Sequence, residues 1–244
     1  MRMQELISDQ IIFQASKIRF IDLRIEGQVH TNWTDGHNSI FEMQNSAQAK
    51  NLRALVFSEH TSIGSGNWYL EFVQEINDLY PSDLKIYSGT EVKIKNYFGE
   101  LNLDQDVARM TQVVLASVHR FPDVNGEPIE FSEANRSFNA CESELQLMIA
   151  AIKRKESHII AHPFGMSLTK FQQKPTEAQW NQLIASALKY EVALEFNSKY
   201  HKSDFTILER YIANNCLISI GSDAHSVDEV GDCSSQIIQY LGIQ

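Results

Sequence analysis

Short, continuously apolar runs alternate along this chain with longer stretches in which apolar residues recur at every third or fourth position. The runs are Gly27–Thr31, Leu52–Ser58, Leu84–Ser88, Val113–Ser117, His158–Ala161, Val192–Phe196 and Leu217–Ile220. A run that is apolar throughout, rather than at alternate positions, suits a strand buried on both faces, so these runs predict parallel strands covered by helices. Between them, Trp180, Leu183, Ile184, Ala187 and Leu188 fall on one helical face, with the i, i+3, i+4, i+7, i+8 spacing of an amphipathic helix. That helix is predicted to begin after Pro175, where Thr176 and Gln179 have capping-box spacing. Leu145, Met148, Ile149 and Ile152 mark a second helical face, Phe72, Val73, Ile76 and Leu79 a third, and Ile40, Met43 and Ala47 a weaker fourth.

Strand and helix alternate over the whole length, which predicts a single α/β domain over 1–244, with 1–25 as an N-terminal extension whose structure the pattern leaves open. Seven runs point to a closed or nearly closed seven-stranded barrel. No Gly-x-Gly-x-x-Gly follows the first run, and Gly64-Ser65-Gly66 lies too far beyond the second to cradle a phosphate, which disfavours a dinucleotide fold.

Composition narrows the functional classes. The 244 residues are 43% hydrophobic and 21% charged, globular proportions that exclude wholesale disorder. Lys and Arg total 21 against 31 Asp and Glu, a formal net charge of −10. Such a surface disfavours long nucleic acid or an anionic membrane as a partner. No apolar run approaches the ~20 residues of a membrane span, and Met1 to Lys17 has no signal-peptide core. Cys141, Cys216 and Cys233 are widely spaced and form no CxxC. They predict neither a disulfide framework nor a thiolate zinc site, and fit a cytoplasmic protein.

The candidate chemistry collects at the ends of the runs. His30 closes the first and Asp35 follows in its loop; His60, Glu91, His119 and His162 end the next four; Asp223 and His225 follow the last. In a parallel barrel all these C-terminal ends share one face, where barrel enzymes keep their chemistry. A structural role is common for one histidine at a strand end; five histidines and three acids repeated there predict a cluster of divalent cations. Imidazole and carboxylate together suit Zn, Mn or Fe, and a carboxylate such as Glu91 can bridge two ions. His158 opens its run and belongs to the opposite end. His37 sits in a turn and is expected to be solvated. His201, beyond the sixth run, is expected either to touch substrate or to lie in a surface loop.

These motifs resemble the PHP (polymerase and histidinol phosphatase) superfamily. The resemblance rests on Gln28-Val29-His30-Thr31 with Asp35-Gly36 downstream, Ser58-Glu59-His60, Gly89-Thr90-Glu91, Ser117-Val118-His119, His162-Pro163, Glu195-Phe196-Asn197 and Ser222-Asp223-Ala224-His225, and spans about 26 to 231. It implies a distorted, TIM-like (β/α)7 barrel and two or three divalent ions. By family analogy Gln28, His30, Glu91 and Asp223 would hold one ion, Glu91, His119 and His162 a second, and Asp35, His60 and His225 a third. It also implies hydrolysis of a small phosphate ester by metal-bound hydroxide, as in histidinol, nucleotide or sugar phosphatases. Gln28 stands where the family has a histidine. Its side chain faces the same way as that of His30, but a neutral amide oxygen is the weaker donor, so the first ion would bind more weakly, be a harder cation, or be missing.

A phosphate substrate needs further cations. Arg120 and Lys199 are the expected ones, with Lys93 and Lys95 as weaker candidates, while Asp223 and His225 are expected to assist the leaving alkoxide. Trp33 and Tyr200 are candidates for stacking on a substrate ring or for packing. Two alternatives follow from the same residues: a scaffold or regulatory domain weakened by Gln28, and a phosphodiesterase or exonuclease acting on short nucleotides.

Overall fold

The computed structural model of the chain describes residues 3, 6, 11–79, 82–123, 127–129, 138–202 and 204–243. All seven apolar runs become parallel strands of one sheet: β2 (Ile25–Val29), β3 (Ala54–His60), β4 (Lys85–Lys93), β5 (Val113–Ser117), β6 (Ile159–Ile160), β7 (Ala193–Asn197) and β8 (Leu217–Gly221). The expected count of seven is one short. Within the N-terminal extension, β1 (Phe13–Gln14) pairs antiparallel with β8 at Ile218 and Leu217, giving the order β1-β8-β7-β6-β5-β4-β3-β2. Two residues carry no readable periodicity; what makes them a strand is the unpaired start of β8.

The sheet curls until β2 stands beside β8 again. Just past β8, Val29 bridges Ala224; the His30 N–H donates to the Ala224 carbonyl at 2.9 Å, and the Ala224 N–H donates to the Gln28 carbonyl at 3.1 Å. Gly27 permits this approach: a Cβ there would stand 2.6 Å from both the Ile220 carbonyl oxygen and Ser219 Oγ. The β2–β3 register slips between Glu26 and Val29. Ser58 Oγ fills the irregularity, accepting from the Val29 N–H at 3.1 Å and lying 3.2 Å from the Val29 carbonyl. The slip re-aims the end of β2, as bulges do.

The helices are α1 (Ile40–Ala49), α2 (Gly66–Asn77), α3 (Gln105–Met110), α4 (Ala140–Arg154), α5 (Gly165–Thr169), α6 (Glu177–Tyr190), α7 (Ser198–His201), α8 (Phe205–Ala213) and α9 (Asp232–Leu241). The predicted Thr176–Gln179 capping box starts α6. Trp180, Leu183, Ile184 and Ala187 are buried, while Leu188 is 44% exposed, so the packed face is narrower than the sequence spacing predicts. One apolar cluster joins β5 to β8 with α4, α6 and α8; a second, around Phe57, Tyr69 and Phe72, holds α1 and α2 to β2 and β3. Each fully buried Leu or Phe stabilises the fold by about 1.5–3 kcal/mol. No helix among the described residues is long and apolar enough to cross a membrane, and all three cysteines are free and buried.

Candidate metal centre

The strand ends bring all eight predicted histidine and acid ligands into one cluster. His60 and Glu91 are register partners at the ends of β3 and β4. His30 follows β2, and Asp35 turns back toward it through a tight loop closed by Gly36, whose N–H donates to the Thr31 carbonyl at 2.9 Å. His119, His162 and Asp223 each lie two residues beyond β5, β6 and β8. His162 and Asp223 take positive φ of 30° and 50°, a left-handed backbone that costs non-glycine residues energy and tends to be kept at functional sites.

Glu91 is the hub. Its Oε1 lies 3.0 Å from both His119 Nε2 and His162 Nε2, and its Oε2 lies 3.3 Å from His30 Nε2 and 3.4 Å from His60 Nδ1. His30 Nε2 is also 3.0 Å from Asp223 Oδ1. On the outer side, Asp35 reaches His60 Nε2 at 3.3 Å, His225 Nε2 at 3.5 Å and His30 Nδ1 at 3.8 Å. Three groups of donor atoms, each within 4.8 Å of one another, result: His30, Glu91 and Asp223; His60, Glu91 and His119; His30, Asp35, His60 and His225.

These contacts fit cations better than hydrogen bonds. Both ring nitrogens of His30 and Oε2 of Glu91 are buried without a partner in hydrogen-bond geometry, and buried polar atoms of that kind call for an explanation such as an ion. His225 Nδ1 lies 2.8 Å from the Asp223 carbonyl and 3.2 Å from Lys199 Nζ, which leaves Nε2 turned toward Asp35 at 3.5 Å.

Electrostatics follow the same geometry. Burial alone would raise the Glu91 carboxyl, but His119, His162 and His30 hold it well below its ordinary range. Burial would depress His30, yet Asp223 and Glu91 raise it well above the usual imidazole value. His119 is raised by Glu91 against its burial. His60 is pushed down to about 4, chiefly by burial. Asp35 and Asp223, despite burial, are lowered by their histidine neighbours.

A second layer of buried acids holds the loops that carry these ligands. Glu59 accepts from Thr31 N–H at 2.8 Å and Thr31 Oγ1 at 2.7 Å; Glu195 accepts from His162 N–H at 2.7 Å; Glu229 accepts from His225 N–H at 2.7 Å; and Glu26 accepts from Ser222 N–H at 2.7 Å and Gly231 N–H at 2.8 Å. Burial pushes the Glu26 carboxyl up to about 7. From α4, Glu144 accepts from Ser167 N–H at 2.8 Å and Met166 N–H at 3.3 Å and so pins α5; its carboxyl is also pushed up to about 7 by burial. The sequence reading assigned none of these acids a role. The available signal was an acid inside or directly beside an apolar run: Glu195 within one, Glu26 and Glu59 at the edges of two others.

The cluster floors a cavity of about 330 Å³. Met166, Thr169, Lys170, Lys199 and Tyr200 form its wall. Lys199 Nζ lies 2.8 Å from Asp223 Oδ2, and the Tyr200 ring stacks on His162 with centroids 4.0 Å apart. Lys170 was not a sequence candidate. Arg120, Lys93 and Lys95 do not line the cavity, and Arg120 Nε is buried without a partner. Trp33 packs on Trp68, 6.0 Å between centroids, and donates to Glu75 Oε2 at 2.7 Å. His201 neither touches the cavity nor lies in a surface loop: it is buried, with Nδ1 accepting from Asn197 N–H at 3.1 Å and Nε2 3.0 Å from the Pro163 carbonyl. His158 accepts from Val114 N–H at the other end of the strands, and His37 is exposed. Gln28, buried beside His30, bonds to Asn197.

Comparison with known proteins is consistent with this geometry. The PHP domain profile matches residues 26–199. The chain is 26% identical over 232 residues to a probable phosphatase of Caldicellulosiruptor bescii, covering 86% of this chain and 83% of that protein. It is 25% identical over 237 residues to the DNA polymerase/3'-5' exonuclease PolX of Bacillus subtilis; that is 91% of this chain but only 38% of the relative's length. Histidinol phosphate phosphatase from Lactococcus lactis, crystallised with zinc, L-histidinol and phosphate, shares the fold with a TM-score of 0.65 over 90% of this chain and 94% of that one, at 15% identity.

Proposed function

This chain belongs to the PHP domain family, and from that membership we propose that it is a metal-dependent phosphoesterase acting on a small phosphate monoester. The observation that carries the reading is a cavity lined by His60, His119, His225, Asp35 and Asp223, with Glu91 and His30 buried in the same cluster beneath it and Lys170 and Lys199 on its wall. The volume, about 330 Å³, is at the small end of small-molecule sites. The names of the probable phosphatase and the histidinol phosphate phosphatase point the same way.

His30, Asp35, His60, Glu91, His119, His162, Asp223 and His225 would hold the ions. Divalent cations there would neutralise phosphate oxygens and lower the pKa of water to near neutrality. The chain's own groups do the rest. Lys199, held at the wall by Asp223 Oδ2 at 2.8 Å, the Asp223 carbonyl at 3.3 Å and His225 Nδ1 at 3.2 Å, presents an ammonium to a phosphate oxygen or to the departing alkoxide. Lys170 offers a second point charge to the anion. The Tyr200 ring, fixed on His162, walls off the floor from water. Arg120 has no part in this scheme, because it lies off the cavity.

Purified protein is stripped with chelator, reloaded with Zn²⁺ or Mn²⁺, and assayed against histidinol phosphate, sugar phosphates and nucleoside monophosphates. Metal-restored release of phosphate from at least one of them supports the proposal; activity indifferent to chelation removes it. The likeness to the exonuclease-bearing polymerase favours one second reading, cleavage of short phosphodiesters. A dinucleotide and a short oligomer in the same panel decide between them.

A further inference from the structure

We infer that Gln28 does not ligate a cation, so that the chain holds two divalent ions tightly and the innermost donor group, His30, Glu91 and Asp223, binds a third at least tenfold more weakly. This rests on the reading of the cluster as a metal centre. Gln28 is fully buried on the same face of β2 as His30, in the position from which a fourth ligand would come. Only the carbonyl oxygen of its amide can bind a cation, and that oxygen is turned toward Asn197, where it spends one lone pair: Gln28 Oε1 accepts from Asn197 Nδ2 at 3.0 Å.

The orientation of Asn197 is itself fixed by the backbone. Its Oδ1 accepts from the N–H groups of Lys199 at 3.0 Å and Tyr200 at 3.3 Å, at the start of α7. Its NH2 must therefore point the other way, where it donates to Gln28 Oε1 and to Glu195 Oε2 at 3.2 Å. Flipping the Gln28 amide would set one NH2 against another. What Gln28 has left over is Nε2, buried and without a partner, a donor that a cation repels. Gly221 lets β8 pass close to both side chains: a Cβ there would stand 2.2 Å from Glu195 Oε1 and 3.0 Å from Gln28 Cβ. Glu195 is itself engaged, its Oε2 accepting from the His162 N–H at 2.7 Å and from Asn197 Nδ2 at 3.2 Å.

The inner group is thus left with three protein ligands, of which His30 and Glu91 also belong to the other groups, so that Asp223 is its one unshared donor. The outer group has four donors, and the middle one is joined by His162 Nε2, 3.0 Å from the same Glu91 oxygen as His119 Nε2. A full ligand or its orienting partner is worth roughly 10–100-fold in metal affinity, which sets the size of the expected gap.

Metal-free protein is titrated with Co²⁺ and followed by its visible absorption, and the content after dialysis is measured by elemental analysis. Neither readout depends on turnover. Two tight equivalents and a third at least tenfold weaker are expected for the wild type, and three tight equivalents for Gln28→His. Three equal equivalents in the wild type overturn the inference whatever the variant does, and so does a folded Gln28→His, verified by circular dichroism, that gains none. If Gln28→His does not fold, the wild-type titration alone decides. Binding of no ion at all would sink the proposed function as well, whereas three tight ions with phosphatase activity would sink this inference alone.

Discussion

The rings of His119 and His162 stack 7° from parallel, and their Nε2 atoms stand 3.3 Å apart. Both nitrogens face Oε1 of Glu91 at 3.0 Å. Three basic atoms can share so small a space only with a proton or a cation among them, and which of the two is present depends on pH.

Metal uptake should therefore release protons. Carboxylates raise His30 well above the ordinary imidazole value and raise His119 as well, so these rings hold their protons to higher pH than a free imidazole, and an incoming cation must displace them. Calorimetric titration at pH 7 in buffers of different ionisation enthalpy should give different apparent heats. Heats that do not vary with buffer would contradict this.

Glu91→Ala removes the one side chain that touches four of the histidines. Bound metal is expected to fall by at least one ion per chain, and kcat/KM by on the order of 10²–10³-fold. Elemental analysis and steady-state kinetics on the same sample check both. Full metal content in the variant would show that the histidines suffice without the hub.

Lys199→Ala leaves the imidazoles in place and removes a cation from the wall. Phosphate binding should weaken, lowering kcat/KM about 10–100-fold, in line with about 1.5–3 kcal/mol for a charge-assisted contact. Metal content should be unchanged, since the ammonium is no ligand. Lys170→Ala, with no ion pair of its own among the described contacts, should act in the same direction and less.

Glu144 ties stability to pH. Its carboxyl is near 4.5 in an unfolded chain and is pushed up to about 7 in the fold by burial. Between these values the folded state binds the extra proton, so stability falls as pH climbs from 4.5 to 7, by up to about 3 kcal/mol, and is level above. Glu144→Gln cannot ionise. The melting temperature of the variant minus that of the wild type should therefore become more positive from pH 5 to pH 8; a constant difference would show that the carboxyl does not titrate there.

Gly27→Ala should part the β2–β8 seam. The added methyl meets the Ile220 carbonyl at 2.6 Å, and backbone cannot turn aside as a long side chain can. A loss of about 1–3 kcal/mol in urea unfolding is expected, as for other overpacked sites.

The seven parallel strands were legible because burial on both faces forces a continuous apolar run. The convergence of the eight candidate ligand residues was legible because a parallel sheet gathers strand ends. What was not legible depends on placement rather than type. Arg120 follows His119 directly, but the chain bends at both residues beyond the end of β5, and Arg120 does not join the cavity lining. Lys170 reaches the wall only because α5 turns back over the rim, and nothing local announces a helix of five residues. His201 reads as a loop residue, yet it braces two strand-end loops through Asn197 and Pro163. Glu195 interrupts an apolar run and Glu26 and Glu59 adjoin two others, and only the tertiary fold reveals which backbone N–H groups they serve.

Where β2 meets β8 the ring is fastened at the rim by the peptide groups of Gln28, His30 and Ala224 and by the Glu26 carboxylate on the Ser222 N–H. None of these bonds uses the side chain of residue 28. Substitution at position 28 can consequently retune what the inner pocket accepts without loosening the barrel, which makes this clasp a place where relatives could drift in ion number while keeping one architecture.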